Sequence, residues 1–104
     1  MEVFGVNTDP QTRCAHWGSH LDVVAIKFKC CNKFYACREC HDELEPHHAL
    51  LWKREERFQH AVLCGVCQKT MSIADYLECE DFCPHCRTPF NPGCRSHRAL
   101  YFDF

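Results

Sequence analysis

The chain has no run of the ~18–20 apolar residues that a membrane-spanning helix requires. Its opening, Met1-Glu2-Val3-Phe4-Gly5-Val6-Asn7-Thr8-Asp9-Pro10, shows no basic n-region, no apolar h-region and no cleavage site. These absences exclude a membrane span and argue against secretion. An excess of positive charge is missing too: 12 Lys and Arg stand against 14 Asp and Glu, a formal net charge of −2. Affinity for phosphate backbones comes from clustered cations, so a net acidic domain is a poor non-specific binder of nucleic acid. No HExxH helix is present, which removes the familiar metallohydrolase pattern. Low-complexity tracts and convincing repeats are absent as well.

What the chain does have is cysteine: eleven in 104 residues, with eight histidines. Such a density points to either a disulfide scaffold or a metalloprotein. An odd cysteine count, abundant histidine and no secretion signal favour metal, in a compartment where thiols stay reduced. The expected location is the cytoplasm. The densest stretch is Cys30-Cys31-Asn32-Lys33-Phe34-Tyr35-Ala36-Cys37-Arg38-Glu39-Cys40-His41, followed by His47. It holds six candidate ligands, more than one tetrahedral zinc can use, and so reads as the shared middle of two zinc sites.

The C-terminal half is the clearest. Cys64-x2-Cys67 and Cys83-x2-Cys86 are separated by fifteen residues, the spacing of a four-cysteine zinc site in which each knuckle aims two sulfurs at one point. In the N-terminal half, Cys37 and Cys40 need two more ligands. Cys14 and His16 supply them if their segment is extended, since alternate side chains share a face. His41 lies about 100° around the helix from Cys40 and so faces a different metal. Its partners would be His47 and the Cys30-Cys31 pair, and adjacent cysteines can serve one ion only if the chain turns at Asn32. One of Cys30 and Cys31 could instead be packing or a ligand of the first site, and His48 could replace His47. Filled with three zinc ions, nine thiolates bring the folded charge to about −5.

Between these ligands the chain predicts a strand over His20–Lys29, with Val24, Ile26 and Phe28 on one face, and a hairpin partner at Lys33–Ala36. A short helix should start at the Cys37 knuckle and stop before Pro46, and Ser72 should cap a second over Ile73–Leu77. The expected fold is a small metal-stabilised α+β zinc-finger domain with short hairpins, knuckles, one or two short helices and little conventional core. Residues 1–13 read as a loosely held lead-in and 14–104 as one domain. Within it, 14–47 is a binuclear half, 48–59 a connector, and 60–104 a zinc-ribbon-like half. Trp52, Phe58 and the tail Leu100-Tyr101-Phe102 read as core, because so short a chain needs every apolar side chain it has.

The string Cys14-x-His16, Cys30-Cys31, Cys37-x2-Cys40-His41-Asp42-Glu43, His47 and two further CxxC knuckles resembles the CHY-type zinc finger family over roughly residues 14–86. The resemblance implies one three-zinc domain with interleaved ligands. Cys14, His16, Cys37 and Cys40 would hold the first zinc, Cys30, Cys31, His41 and His47 the second, and Cys64, Cys67, Cys83 and Cys86 the third. Trp17 stands where the family usually has tyrosine. No RING module follows, so ubiquitin-ligase activity is not implied. The length and the segment Phe90-Asn91-Pro92-Gly93-Cys94-x2-His97 are similar to the stand-alone form. That form includes mitochondrial helper-of-Tim proteins, linked to assembly of cysteine-rich import chaperones, and small bacterial proteins, so for a eukaryotic chain the resemblance implies the mitochondrial intermembrane space as the alternative location.

Cys79, Cys94 and His97 are left over. They could form a fourth, incompletely ligated site, a buried thiol with a hydrogen-bonded histidine, or a reactive thiol. His20, His48, His60 and His85 read as surface or supporting residues. The function expected is a structural zinc module that offers a surface to a protein partner, without catalysis. The alternative is a thiol- or zinc-handling helper for cysteine-rich clients. A nucleic-acid-binding finger would have to use Lys27, Lys29, Lys33 and Arg38 beside Phe34 and Tyr35, against the net charge.

Overall fold

A computed structural model describes residues 2–91 and 99–103. The β-branched run after Asp22 forms β2 (Val24–Lys27), the middle of a five-stranded sheet. The sheet also contains β1 (Val3–Phe4), β3 (Phe34–Tyr35), β5 (Val62–Cys64) and β6 (Thr70–Met71). The strand order is β1-β3-β2-β5-β6. β2 pairs antiparallel with β3, placing Ile26 opposite Tyr35, and with β5, placing Val24 opposite Cys64 and Ile26 opposite Val62. One sheet therefore runs through both cysteine-rich halves.

Helix α1 (Arg38–Leu44) starts at Cys37, whose sulfur accepts the Cys40 amide at 3.3 Å as an N-cap would. Helix α2 (Ile73–Glu78) starts at Ser72, whose hydroxyl accepts the Asp75 amide at 3.1 Å, satisfying a donor that the first helical turn leaves open. The 48–59 stretch forms β4 (Trp52–Lys53) and one 3₁₀ turn, Arg54–Glu56. β4 pairs in parallel with β7 (Phe102–Asp103), so the tail is stitched to the connector.

Two expectations need correction. The lead-in is tied down: Val3 and Phe4 pair with Phe34 and Tyr35, and the Asp9 carboxylate takes the amides of Gln11 and Arg13 at 2.8 and 3.0 Å. A short polar segment can add an edge strand without any periodicity of its own, because backbone groups make the ladder. Phe58 is 67% exposed, so it is not core. Arg57 lies 4.6 Å over the Phe58 ring and shields it from one side. Trp52 and Phe102 are buried as expected, and the Trp52 indole N–H donates to the Lys27 carbonyl at 2.7 Å. The buried cluster mixes Ile26, Phe28, Val62, Met71 and Ile73 with Cys14, Cys37, Cys40, Cys64 and Cys83. Ligand-type sulfurs and apolar side chains thus share one interior.

Candidate metal centre

Among the described residues, three Cys/His groups each bring four donor atoms within 4.8 Å of one another: Cys14, His16, Cys37 and Cys40; Cys30, Cys31, His41 and His47; Cys64, Cys67, Cys83 and Cys86. The separations test the fit to zinc. Tetrahedral ligation at about 2.3 Å for sulfur and 2.0–2.1 Å for nitrogen requires edges of about 3.8 Å for S···S, 3.6 Å for N···S and 3.3 Å for N···N. The sulfur pairs Cys14–Cys37, Cys30–Cys31, Cys64–Cys86 and Cys67–Cys83 are 3.6, 3.8, 3.8 and 3.8 Å apart. His16 Nδ1 is 3.9, 3.4 and 3.5 Å from the sulfurs of Cys14, Cys37 and Cys40. His41 Nε2 is 3.2 Å from Cys30 Sγ and 3.3 Å from His47 Nε2. A disulfide would hold its sulfurs at about 2.05 Å. These distances match the edges of ligand tetrahedra, so the residues fit zinc.

Local backbone explains how each set converges. In both C-terminal knuckles the residue after the second cysteine takes a left-handed conformation, Gln68 at φ 61° and Arg87 at φ 65°. Gln68 N donates to Cys64 O and Cys64 N to Lys69 O, at 2.8 and 3.0 Å. The second knuckle repeats this with Arg87 N to Cys83 O and Cys83 N to Thr88 O, both 2.9 Å. The same turn occurs a third time at Phe28–Lys33. Asn32 has φ 55° and its amide donates to Phe28 O at 2.8 Å, while Phe28 N donates to Lys33 O at 3.0 Å. Here Phe28 occupies the place of the first cysteine, and the donors are the third and fourth residues of the turn, Cys30 and Cys31. Curled backbone in place of a strand lets adjacent cysteines face one point, and asparagine tolerates the left-handed conformation better than most residues.

Around the donors, polar support is local. Backbone amides reach the sulfurs of Cys40 (from Val6, 3.3 Å) and Cys83 (from His85, 3.4 Å). Burial pushes the Cys37 and Cys64 thiols well up from the ordinary value. For Cys83 burial acts the same way, but the amides of Cys86 and His85 outweigh it and hold the thiol low. His41 is fully buried, stacked on Phe28 at 4.5 Å and meeting the Tyr35 ring edge-on at 5.1 Å.

Three carboxylates were missed as part of the site. Glu43 meets His16 Nε2 at 3.0 Å, and Asp42 meets His41 Nδ1 at 2.9 Å. Glu45 accepts the Tyr35 hydroxyl and lies 3.5 Å from Lys33 Nζ. Spacing was a usable signal for Glu43, since Cys37, Cys40 and Glu43 continue one i, i+3 stripe of α1. His48 stands outside the three groups, as do the exposed His20, His60 and His85. Cys79 caps the C-terminus of α2, half-buried and outside the groups. Cys94 and His97 lie outside the described residues.

Known proteins share this pattern. The CHY zinc finger model matches residues 14–98. The chain is 46% identical to Helper of Tim protein 13 of Saccharomyces cerevisiae over 97% of its own length and 90% of the relative's. It is also 46% identical to Helper of Tim protein 13 of Kluyveromyces lactis, and 41% identical to an uncharacterised protein of Schizosaccharomyces pombe. In both cases the match covers 97% of this chain and 88% of the relative. With a family match of that extent and identities above 40% along nearly whole chains, the chain belongs to the CHY zinc finger family.

Proposed function

We propose that this chain is a protein-interaction module in which each of the three Cys/His groups holds one structural zinc. The observation that carries this is that every group offers four protein donors at tetrahedral separations. A catalytic zinc keeps a position for water or substrate, whereas a structural one is closed by four protein ligands. We therefore read the module as non-enzymatic. Structural zinc in finger peptides contributes roughly 10–16 kcal/mol of apparent folding free energy per site, against a net domain stability of about 5–15 kcal/mol. Chelation is expected to unfold the chain. Native mass spectrometry should count three zinc ions, and far-ultraviolet circular dichroism should lose its helical and sheet signal as a strong chelator removes them. A spectrum unchanged after complete zinc removal would overturn the reading.

The relatives' printed name, helper of Tim, supports a Tim protein as the partner of this chain. Because the relatives are fungal, we also favour the mitochondrial intermembrane space over the cytoplasm; no described helix is long and apolar enough to cross a membrane. Nucleic acid is a poorer partner on local grounds as well as net charge. Phe34 and Tyr35 are buried, so neither offers a face for base stacking. Lys29, Lys33 and Arg38 are engaged by Glu56, Glu45 and Asp42 at 2.8, 3.5 and 3.0 Å.

The second reading, a thiol- or zinc-handling helper for cysteine-rich clients, is favoured by Cys79 standing outside the three groups. It requires one or two thiols of the zinc-loaded protein to react quickly with a disulfide reagent while the ligand sulfurs stay protected. Slow and uniform reaction of all eleven would remove it.

A further inference from the structure

Helix α1 carries ligands of two different groups, Cys40 for one and His41 for the other. The next two residues are the acids that meet the histidines of those same groups. His16 turns Nδ1 toward three sulfurs and Nε2 toward Glu43 Oε1 at 3.0 Å. His41 does the reverse, with Nε2 toward Cys30 and His47, and Nδ1 toward Asp42 Oδ1 at 2.9 Å. A ring nitrogen that binds metal must offer its lone pair, so the proton sits on the other nitrogen and needs an acceptor. A carboxylate there selects the tautomer, fixes the ring and raises the basicity of the ligating nitrogen.

We propose that Glu43 and Asp42 are positioning residues, each fixing the tautomer of one metal-facing histidine in a different group, so that one turn of α1 sets zinc retention in both. The proposal rests on the zinc reading above. Asp42 is itself aimed by Arg38, whose Nε lies 3.0 and 3.3 Å from its two oxygens. Glu45 is not a third member. It stands 3.9 Å from His47 Nδ1, beyond hydrogen-bonding reach, and accepts the Tyr35 hydroxyl instead. Among the described residues His47 thus has no carboxylate hydrogen bond like those of His16 and His41.

The three donor sets contain three, two and four sulfurs, so cadmium-113 substituted for zinc gives three resonances ordered by sulfur number. In wild-type protein loaded with zinc, two-bond proton–nitrogen spectra should find the proton on Nε2 of His16 and on Nδ1 of His41. Glu43→Ala should release one equivalent of zinc to a chromogenic chelator about 10–100-fold faster and perturb the three-sulfur resonance alone. Asp42→Ala should do the same for the two-sulfur resonance alone. Glu43→Gln and Asp42→Asn, which still accept through oxygen, should give smaller changes and serve if the alanine variants fail to fold. Acceleration of all three equivalents together, or of none, overturns the proposal, as does a proton on Nδ1 of His16. A wild-type chain that binds no zinc overturns the underlying zinc reading instead.

Discussion

Zinc loading should expel a number of protons that the ligand sets fix in advance. The perturbation is addition of three equivalents of zinc to the metal-free chain at pH 7. The three groups contain three, two and four cysteines, nine in all. If the metal-free chain is unfolded, its thiols titrate near 8.5, and about 97% of them carry a proton at pH 7. Each must become thiolate to bind, so they release close to nine protons. Three imidazoles with ordinary values near 6.5 are about one-quarter protonated and add less than one more. The expected total is about nine to ten protons per chain. The sign follows directly: binding releases protons, so affinity rises with pH and is lost as pH falls. The four-cysteine group should weaken by about four orders of magnitude per pH unit near neutrality, roughly 5 kcal/mol. Calorimetry in buffers of different ionisation enthalpy reads the proton count directly. A total of five or fewer would mean that the sulfurs do not all serve as thiolate ligands, and the tetrahedral reading of their separations would fall.

Substitutions at three positions test the framework around the donors. A methyl group at Gly65 would meet the Gln11 carbonyl oxygen at 2.2 Å, its carbon at 2.6 Å and the Val23 oxygen at 2.9 Å, all backbone. Gly65→Ala should therefore cost about 1–3 kcal/mol or more, read as a lower melting temperature, and an unchanged melt would refute the close approach. Asn32→Val places a β-branched residue at φ 55° and should cost about 1–2 kcal/mol and loosen the two-sulfur zinc, while Asn32→Gly should be tolerated; equal melting of the two variants would argue against the left-handed turn. Leu63→Ala empties a fully buried position between β2 and β6 and should cost about 2–5 kcal/mol in denaturant melts, with the zinc count unchanged because Leu63 is no donor.

The clustering of these cysteines and histidines was legible because chelating geometry leaves traces in spacing: CxxC at Cys64, Cys83 and Cys37, and the alternate pair Cys14 and His16. Both helix starts were legible for the same reason, since the Cys37 sulfur and the Ser72 hydroxyl act within three residues of themselves. What could not be read depended on distance along the chain. β1 is two residues long and exists only because β3 offers an edge 31 residues away. Glu43 reaches His16 across 27 residues, so its partner is set by the fold even though its stripe on α1 is visible. Phe58 misled because apolar character was taken for burial, whereas single exposed apolar side chains are ordinary. The Asn32 turn was inferred as a requirement, but its kinship with the two knuckles rests on hydrogen bonds that no residue pattern announces, Phe28 having replaced the first cysteine.

The two cysteine-rich halves are coupled through backbone as well as through side chains. Cys64, a ligand candidate of the C-terminal group, is also the last residue of β5 and pairs with Val24 of β2. The next residue, Gly65, donates to the Val23 carbonyl at 2.6 Å, and Gln68 reaches back to the Pro10 carbonyl at 3.2 Å in the chain leading to Cys14. On the other side of β2, Phe28 stacks on His41 and packs against Tyr35, which is opposite Ile26. A disturbance at Cys64 and Gly65 therefore bears directly on β2, and β2 leads straight into the turn that bears Cys30 and Cys31. The ladder between β2 and β5 thus joins the two halves without any shared ligand, because β5 ends at Cys64 while β2 runs on toward Cys30 and Cys31.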